Sequence, residues 1–373
     1  MKAKILGLLA AGLLAGAQTA SAVVITMQLS DFVIFSNSGT DIAGANFVFG
    51  NIGSNLDLVI SAGDTQILGS AYAGDDFSTG QNVKIGSDGV TPGPDQEWPP
   101  FIQDPVYAAL TAQVVANGDA TLGGGIVQGP STIYGTLDAA SVTLLGGATV
   151  TGTTTTGATR DTFGTITMTS GVGFTAGGPD QSCIVDGCSS LTIAPNNPYG
   201  VLETAQEKTV NLSSGDYYFD EIDAGGGLTL NIDLSSGNPI NINVVANAVF
   251  GQDAVLMVKG AGTGGDFVPI SQAPQLAALI KWNLGGRFDL GGGDDNAWTT
   301  IFGGIVNSYQ DGTGHGILFG QHIDWYGALY AYDTIDLADH SRFNWPAVPE
   351  PGTLALLGIG LAGLGLSRRR RAA

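Results

Sequence analysis

From Leu56 the chain alternates short apolar runs with short polar breaks. In LDLVISAGDTQILGSAYAGDDFSTGQNVKIGSD the runs LVI, QIL and VKI change polarity residue by residue, with Gly, Asn, Asp or Ser between them. An apolar period of two places alternate side chains on one face, the pattern of a half-buried strand, and breaks about every 8–12 residues mark turns. No window there holds a 3.6-residue apolar period long enough for a helix. The rhythm begins in VVITMQL, FVIF and NFVFG, and returns in ATL, GIV, TIYG, VTLL and ATVTG. It returns again across residues 209–260, where strands are expected to start at Tyr217, Leu228, Ile240, Val249 and Val255, and continues to Trp345. Three stretches interrupt it. Residues 88–105 carry Pro92, Pro94, Pro99, Pro100 and Pro105 and read as a loop, followed by a short helix over 106–115. Residues 163–198 read as irregular, and 272–280 as a brief helix.

Loose self-similarity at short period, with Gly at the corners, points to a solenoid. The expected fold is all-β, a right-handed parallel β-helix over residues 23–347. Inward Val, Ile and Leu would form one continuous column, and Gly, Asn and Asp would turn the corners because they tolerate positive φ. A β-sandwich or jelly roll is the alternative.

Composition narrows the class. Hydrophobic residues make up 43% of the chain and charged ones only 12%, with 58 glycines. The apolar content is enough for a packed core, and Thr, Asn, Ser and Gly supply the polar surface in place of charge. This suits an extracellular β protein with many turns. The two ends of the chain hold six of its 13 basic residues and one of its 33 acidic ones, which leaves the body seven against 32 and a net charge near −25. Such a body repels nucleic acid and anionic lipid.

Candidate chemistry is sparse. Cys183 and Cys188, in QSCIVDGCSS, are expected to form one short-loop disulfide in an oxidising compartment; a two-Cys metal site lacks a nearby His or third Cys. Asp294, Asp295 and His315, in GDD and GHG, resemble part of the constellation of β-helical polygalacturonan-cleaving enzymes, where paired carboxylates protonate the leaving oxygen and activate water. The Asn-x-Asp and Arg-x-Lys partners of that constellation are missing, so the chain is expected not to be an enzyme, with a polysaccharide hydrolase as the alternative. His322 and Asp324 alternate and would share a strand face, with His315 as a third zinc ligand. Asp75, Asp76, Asp216, Asp220, Glu221, Asp223, Asp294 and Asp295 could hold Ca²⁺, although solvated acidic corners are the default and no cofactor is expected. The Thr run at 149–156 is not periodic enough for an ice-binding array, and β-propensity explains it. Trp282, Trp298, Trp325, Trp345, Tyr326, Tyr330 and Tyr332 gather in the last quarter, where they would either stack sugar rings or cap the solenoid end.

Both ends carry addresses. Lys2 and Lys4 precede an apolar run, and Ala20-Ser21-Ala22 forms an A-x-A cleavage site, so residues 1–22 read as a signal peptide and the mature chain as starting at Val23. At the other end, residues 348–373 read VPEPGTLALLGIGLAGLGLSRRRRAA. Pro349 and Pro351 keep the backbone extended and open to a protease. The apolar run at 353–366 is 14 residues, short of the ~17–25 that span a bilayer comfortably. Arg368, Arg369, Arg370 and Arg371 would hold its end on the cytoplasmic side. A plain membrane anchor is the simpler reading. The order of Pro349-Glu350-Pro351, Gly/Leu-rich hydrophobic helix and Arg cluster resembles the PEP-CTERM sorting signal of Gram-negative bacteria. That resemblance implies recognition by an exosortase after passage through the secretion machinery, transient insertion in the inner membrane, removal of the tail and delivery to the cell surface or beyond. Segments such as GDYYFDEIDAGGGLTLNI resemble the Gly-rich β-solenoid modules of bacterial surface and matrix proteins, and bactofilin-like β-helices. Those relatives imply a structural or adhesive role, with exopolysaccharide or biofilm as the setting.

Overall fold

The computed structural model describes residues 23–61, 63–87, 111–124, 129–168, 173–293, 299–300, 304–308 and 315–344. Their strands wind into a parallel β-helix with three faces. Face 1 carries Phe32–Ser36, Asn51–Ser54 and Ala71–Ala73; face 2 carries Gly39–Ile42, Leu58–Ile60 and Phe77–Thr79; face 3 carries Phe47–Phe49, Gln66–Leu68 and Lys84–Ile85. The strands are short because a corner follows every three to five residues, and alternation puts one side of each against the core. Pairing is parallel on every face, apart from Val255–Lys259 with Val268–Pro269. A sandwich or jelly roll would need antiparallel sheets, so the solenoid holds.

The rungs do not stack in chain order. On face 1 an inward column runs Thr154, Leu137, Val114, Ala71, Ile52, Ile34, Leu329, Val306, Trp282, Ile242, Tyr217. Ile34, in the first rung, therefore lies between Ile52 of the next rung and Leu329 of the last. The same junction recurs on face 2, where Thr40 pairs with Leu58 and Ile335, and on face 3, where Val48 pairs with Ile67 and Phe343. The chain starts at the waist of the solenoid and runs out to one end. It then crosses to the far end at Gln181–Cys183 and winds back to meet its own beginning.

The crossing is a strap over face 1. Twelve strands stack on face 2, which at a strand spacing of ~4.8 Å makes the solenoid about 53 Å long. The 24 residues from 157 to 180 reach roughly 80 Å when extended at ~3.3 Å each, so the strap spans that length with slack. Its footing is a second, external apolar cluster. Phe32, Phe35, Tyr72, Val115, Ala328 and Tyr330 project outward from face 1 and are buried beneath Phe163 and Ile166 of the strap, with Ile25, Met27 and Leu29 from the N-terminal segment alongside. Phe163 meets Tyr72 at 5.5 Å and Phe32 at 6.1 Å between ring centroids. Gly53 makes room for this layer, since a Cβ there would lie 2.7 Å from the Phe32 ring.

Two asparagines fasten the strap. Asn117 Nδ2 donates to the Phe163 carbonyl at 2.9 Å, and the Phe163 N–H donates to Asn117 Oδ1 at 2.8 Å. Asn55 does the same for Ile166, at 2.6 and 2.9 Å. Each amide stands in for a strand neighbour and satisfies one donor and one acceptor of the strap backbone. Asn55 and Asn117 lie two rungs apart, about 9.6 Å, which matches the roughly 10 Å advanced by three extended residues. Beyond this point the strap continues past Tyr218, which packs on Phe174, and reaches Tyr199, whose carbonyl accepts from Gly177 N–H.

Several expectations need correction. Ala112–Ala116 is a face 1 strand, so the helix expected over 106–115 does not form at its described end; the rest of it lies outside the described residues. The irregular stretch includes a full rung, Gln181–Cys183, Ser190–Thr192 and Asn197–Pro198. The helix expected over 272–280 is a 3₁₀ turn, Pro274–Leu279, within an insertion on face 3. The strands expected at Ile240 and Val255 start there, as Ile240–Val244 and Val255–Lys259. Replacing Asn55 with alanine removes both buried bonds to Ile166 and should cost roughly 1–3 kcal/mol, read as a lower urea midpoint with faster proteolysis of the strap. An unchanged midpoint and cleavage pattern would show that the apolar layer alone holds the strap.

Candidate functional site

The last rung is where the fold meets the sorting tail. It comprises Ile323–Ala331, Thr334–Leu337 and Arg342–Asn344, which lies three residues before the 347–371 segment. Trp325 and Phe343 point inward into the core, so Asp324, Tyr326, Arg342 and Asn344 point outward from face 3. Arg342 pairs in register with Asp324 on one side and Phe47 of the first rung on the other. Arg342 Nε donates to Asp324 Oδ1 at 3.1 Å, and Asn344 Nδ2 reaches the same oxygen at 3.4 Å. Arg342 Nη2 approaches the Tyr326 hydroxyl at 3.5 Å. Both charged side chains are almost fully enclosed, at 4% and 0% exposure.

Burial raises the Asp324 carboxyl above the usual carboxylate range, against the pull of Arg342 and of its hydrogen bonds. Tyr326 is pushed up to about 12, first by burial and then by the Asp324 charge. A buried pair of this kind is a weak source of stability but a strict one of register, because separating the partners strands a charge. It locks Arg342–Asn344 onto Ile323–Ala331, and the backbone ladder to Phe47–Phe49 joins the same strand to the first rung.

The corner before this strand holds two of the three histidines. His322 and His340 adopt positive φ, 57° and 59°, as do Ala45 and Asn82 at the equivalent corners of the next rungs. His322 N–H donates to the Asp339 carbonyl at 3.3 Å, and His340 N–H to the Gly44 carbonyl at 3.3 Å, so the corner ladder crosses the junction. The two imidazoles stack at 5.1 Å. The expected His322–Asp324 strand face is thereby corrected: His322 turns the corner ahead of the strand, and its ring neighbour is His340. His315 begins the strand His315–Phe319 in register with Thr334. Asp294 and Asp295 lie outside the described residues, as do Trp298 and Trp345.

The other candidates resolve into structural roles. Trp282 and Trp325 are inward and buried in the middle of the solenoid, packed on Phe288 at 5.8 and 6.1 Å. They are available neither for stacking sugars nor for capping an end. Tyr330 belongs to the external cluster and donates its hydroxyl to the Phe32 carbonyl at 3.1 Å. Asp57 and Asp76 cap backbone, with Asp76 N–H donating to Asp57 Oδ1 at 3.2 Å and Asp119 N–H to Asp76 Oδ1 at 2.7 Å, and Asp216 Oδ1 accepts from the Asn241 side-chain amide at 2.6 Å. Among the described residues no three His, Cys, Asp or Glu side chains converge as a metal site. Cys183 and Cys188 form a disulfide on the terminal rung at the far end, with Cα atoms 5.4 Å apart. Sequence reasoning missed the Asp324–Arg342 pair and the two strap asparagines.

Asp324 gives a pH test. Its raised value means that ionisation opposes folding. The stability it contributes is therefore complete below the unfolded value of ~3.9 and is lost as pH rises through the folded value. Arg342→Met removes the cation and raises that folded value further. The variant should lose roughly 3–5 kcal/mol at neutral pH and distinctly less near pH ~4, measured as urea midpoints at the two pH values. An equal deficit at both would show that the loss comes from packing.

The sorting-signal residues Pro349, Glu350, Pro351, Arg368, Arg369, Arg370 and Arg371, and the leader residues Ala20 and Ala22, lie outside the described residues. Among the described residues no helix is long and apolar enough to cross a membrane. No curated protein and no solved structure matches the chain. Residues 347–371 match the family described as PEP_exosort_dom, the PEP-CTERM protein-sorting motif. That motif marks the chain as an exported, surface-directed protein recognised in the exosortase sorting pathway.

Proposed function

We propose that the chain is a structural or adhesive protein of the cell surface or extracellular matrix, released from its tail by exosortase and lodged among exopolysaccharide. The observation that supports this most is the joining of a sorting signal at 347–371 to a solenoid that ends three residues earlier. The described body is filled by its own side chains and presents long polar faces. Asparagines outward on face 1 form a ladder beside the strap, the half-buried Asn307 to Asn283 at 3.1 Å and Asn283 to the buried Asn243 at 2.9 Å. A second ladder joins Asn231 to Asn211 at 2.9 Å. Regular polar faces of this kind offer hydrogen bonds to a hydroxyl-rich polymer without a pocket. The Gly-rich rhythm of the body, which resembles bacterial matrix solenoids and bactofilin-like modules, favours the same role. Its acidity adds solubility and mutual repulsion outside the cell.

Replacing Arg368–Arg371 with neutral residues should leave the chain uncleaved and reduce surface delivery several-fold, followed by tail-specific immunoblotting of cell fractions. Unchanged delivery would count against the exosortase route. The processed protein should release no oligosaccharide from acidic polysaccharides; release that disappears in Asp295→Asn would replace the structural reading with a hydrolase using Asp294, Asp295 and His315.

A further inference from the structure

The two ends of the solenoid are protected very differently. The rung at the far end, Gln181–Cys183, Ser190–Thr192 and Asn197–Pro198, is closed by a disulfide and carries Pro198, with Pro179, Asp180 and Asp186 beside it. The strap enters this rung at its corner, where Gly200 N–H donates to the Pro179 carbonyl at 3.1 Å. Proline, charge and a covering segment are the usual devices that stop a sheet edge from pairing with another chain.

Among the described residues the opposite rung itself carries neither proline nor charge, and Arg160 just beyond it turns back to the Gly157 and Asn117 carbonyls. This rung consists of Val142–Leu144, Thr149–Val150 and Thr154–Thr156, each paired on one side only, with Ala120–Leu122, Thr132–Ile133 and Gly135–Ala139. Residues 139–159 contain no charged residue and no proline, in a body with a net charge near −25 once the 13 basic and 33 acidic residues are divided between body and ends. The inward positions of this rung on faces 2 and 3 are Val142, Leu144 and Val150, in register with the core residues Ala120, Leu122 and Ile133, and on face 1 they are Thr154 and Thr156, over Leu137 and Ala139. Among the described residues the apolar column on faces 2 and 3 stops without a lid, and Leu144 and Leu145 are 47% and 49% exposed.

We propose that two copies of this chain join through the uncharged rung as a two-fold, end-to-end dimer. Two acidic bodies repel one another over most of their surface, and this end is where that repulsion is least and where backbone donors and acceptors stand unpaired. A two-fold axis makes the interface self-complementary, with strands of the two copies antiparallel and each Leu144 covering the other's open column. The protected far end cannot accept the same rung, so association closes at two and does not continue into a fibre.

The test is sedimentation of the exported, processed protein in about 0.15 M salt. The parent protein should sediment at twice its monomer mass. The double variant Thr143→Lys/Thr155→Lys places charge outward on two edge strands, without entering the core, and should sediment as a monomer with the parent's circular dichroism and melting temperature. If that variant misfolds, Leu145→Cys decides: it should cross-link to a dimer on oxidation, and Thr192→Cys at the far end should not. A parent protein that stays monomeric at about 100 µM, species that grow beyond a dimer, cross-linking through Thr192→Cys, or a folded double variant that remains dimeric would each overturn the proposal.

Discussion

A rung of a β-helix cannot bury its inward face alone and is stable only between neighbours. In this chain the first rung finds one neighbour in the next rung and the other in the last, so Ile34 stacks on both Ile52 and Leu329. Much else follows from that junction. Because the chain begins at the waist, it has to cross the full length of the solenoid before it can return. Because it crosses over face 1, the outer side of that face is apolar around Phe35, Tyr72 and Tyr330, and polar further on, at Asn307, Asn283 and Asn243. Because the strap runs over a sheet with no free ladder of its own, side-chain amides at Asn55 and Asn117 take the place of strand neighbours.

The strand rhythm, the Gly-turned corners and the parallel solenoid were legible along the chain, and Ile240 and Val255 start strands where alternation placed them. The order of the rungs was not. Parallel pairing leaves no local mark comparable to a hairpin turn, since the partner lies a whole rung away. The insertions also vary the spacing: Ile34 and Ile52 stack 18 residues apart, whereas Ala248 and Phe288 stack 40 apart. The aromatic cluster was misread because residue type was weighed above phase. Trp282 lies between Ile280 and Leu284 at a period of two, which already places it with the core. Arg342 follows Asp324 by 18 residues, the same interval as one rung, so their meeting was open to inference. The strap had a fainter signal, apolar Ile166 and Met168 in the stretch that reads as irregular.

Electrostatics set limits on how this body can be built. On face 2 the outward positions of neighbouring rungs carry Asp41 beside Asp336 and Glu203 beside Asp223. Like charges in register are destabilising, and their exposure to solvent and salt keeps the cost small. Burial raises the Asp41 carboxyl despite its bond from Ser61. Arg287 lies 3.3 Å from Asp289 and tempers the stripe locally. With seven basic residues in the body, such relief is scarce, and the one deeply enclosed ion pair among the described residues falls at the junction.

The waist position of the strand Arg342–Asn344 also has a mechanical meaning. In a solenoid that ends at its own terminus, a pull on that terminus peels one rung from one neighbour, and the bonds fail a few at a time. Here a pull transmitted through Asn344 acts on a rung held on both sides, by Phe47–Phe49 and Ile323–Ala331 on face 3 and by Gly39–Ile42 and His315–Phe319 on face 2. Two hydrogen-bond ladders must yield together before the rung comes free. A protein pulled by its C-terminus thus carries its load in the part of the fold least able to unravel.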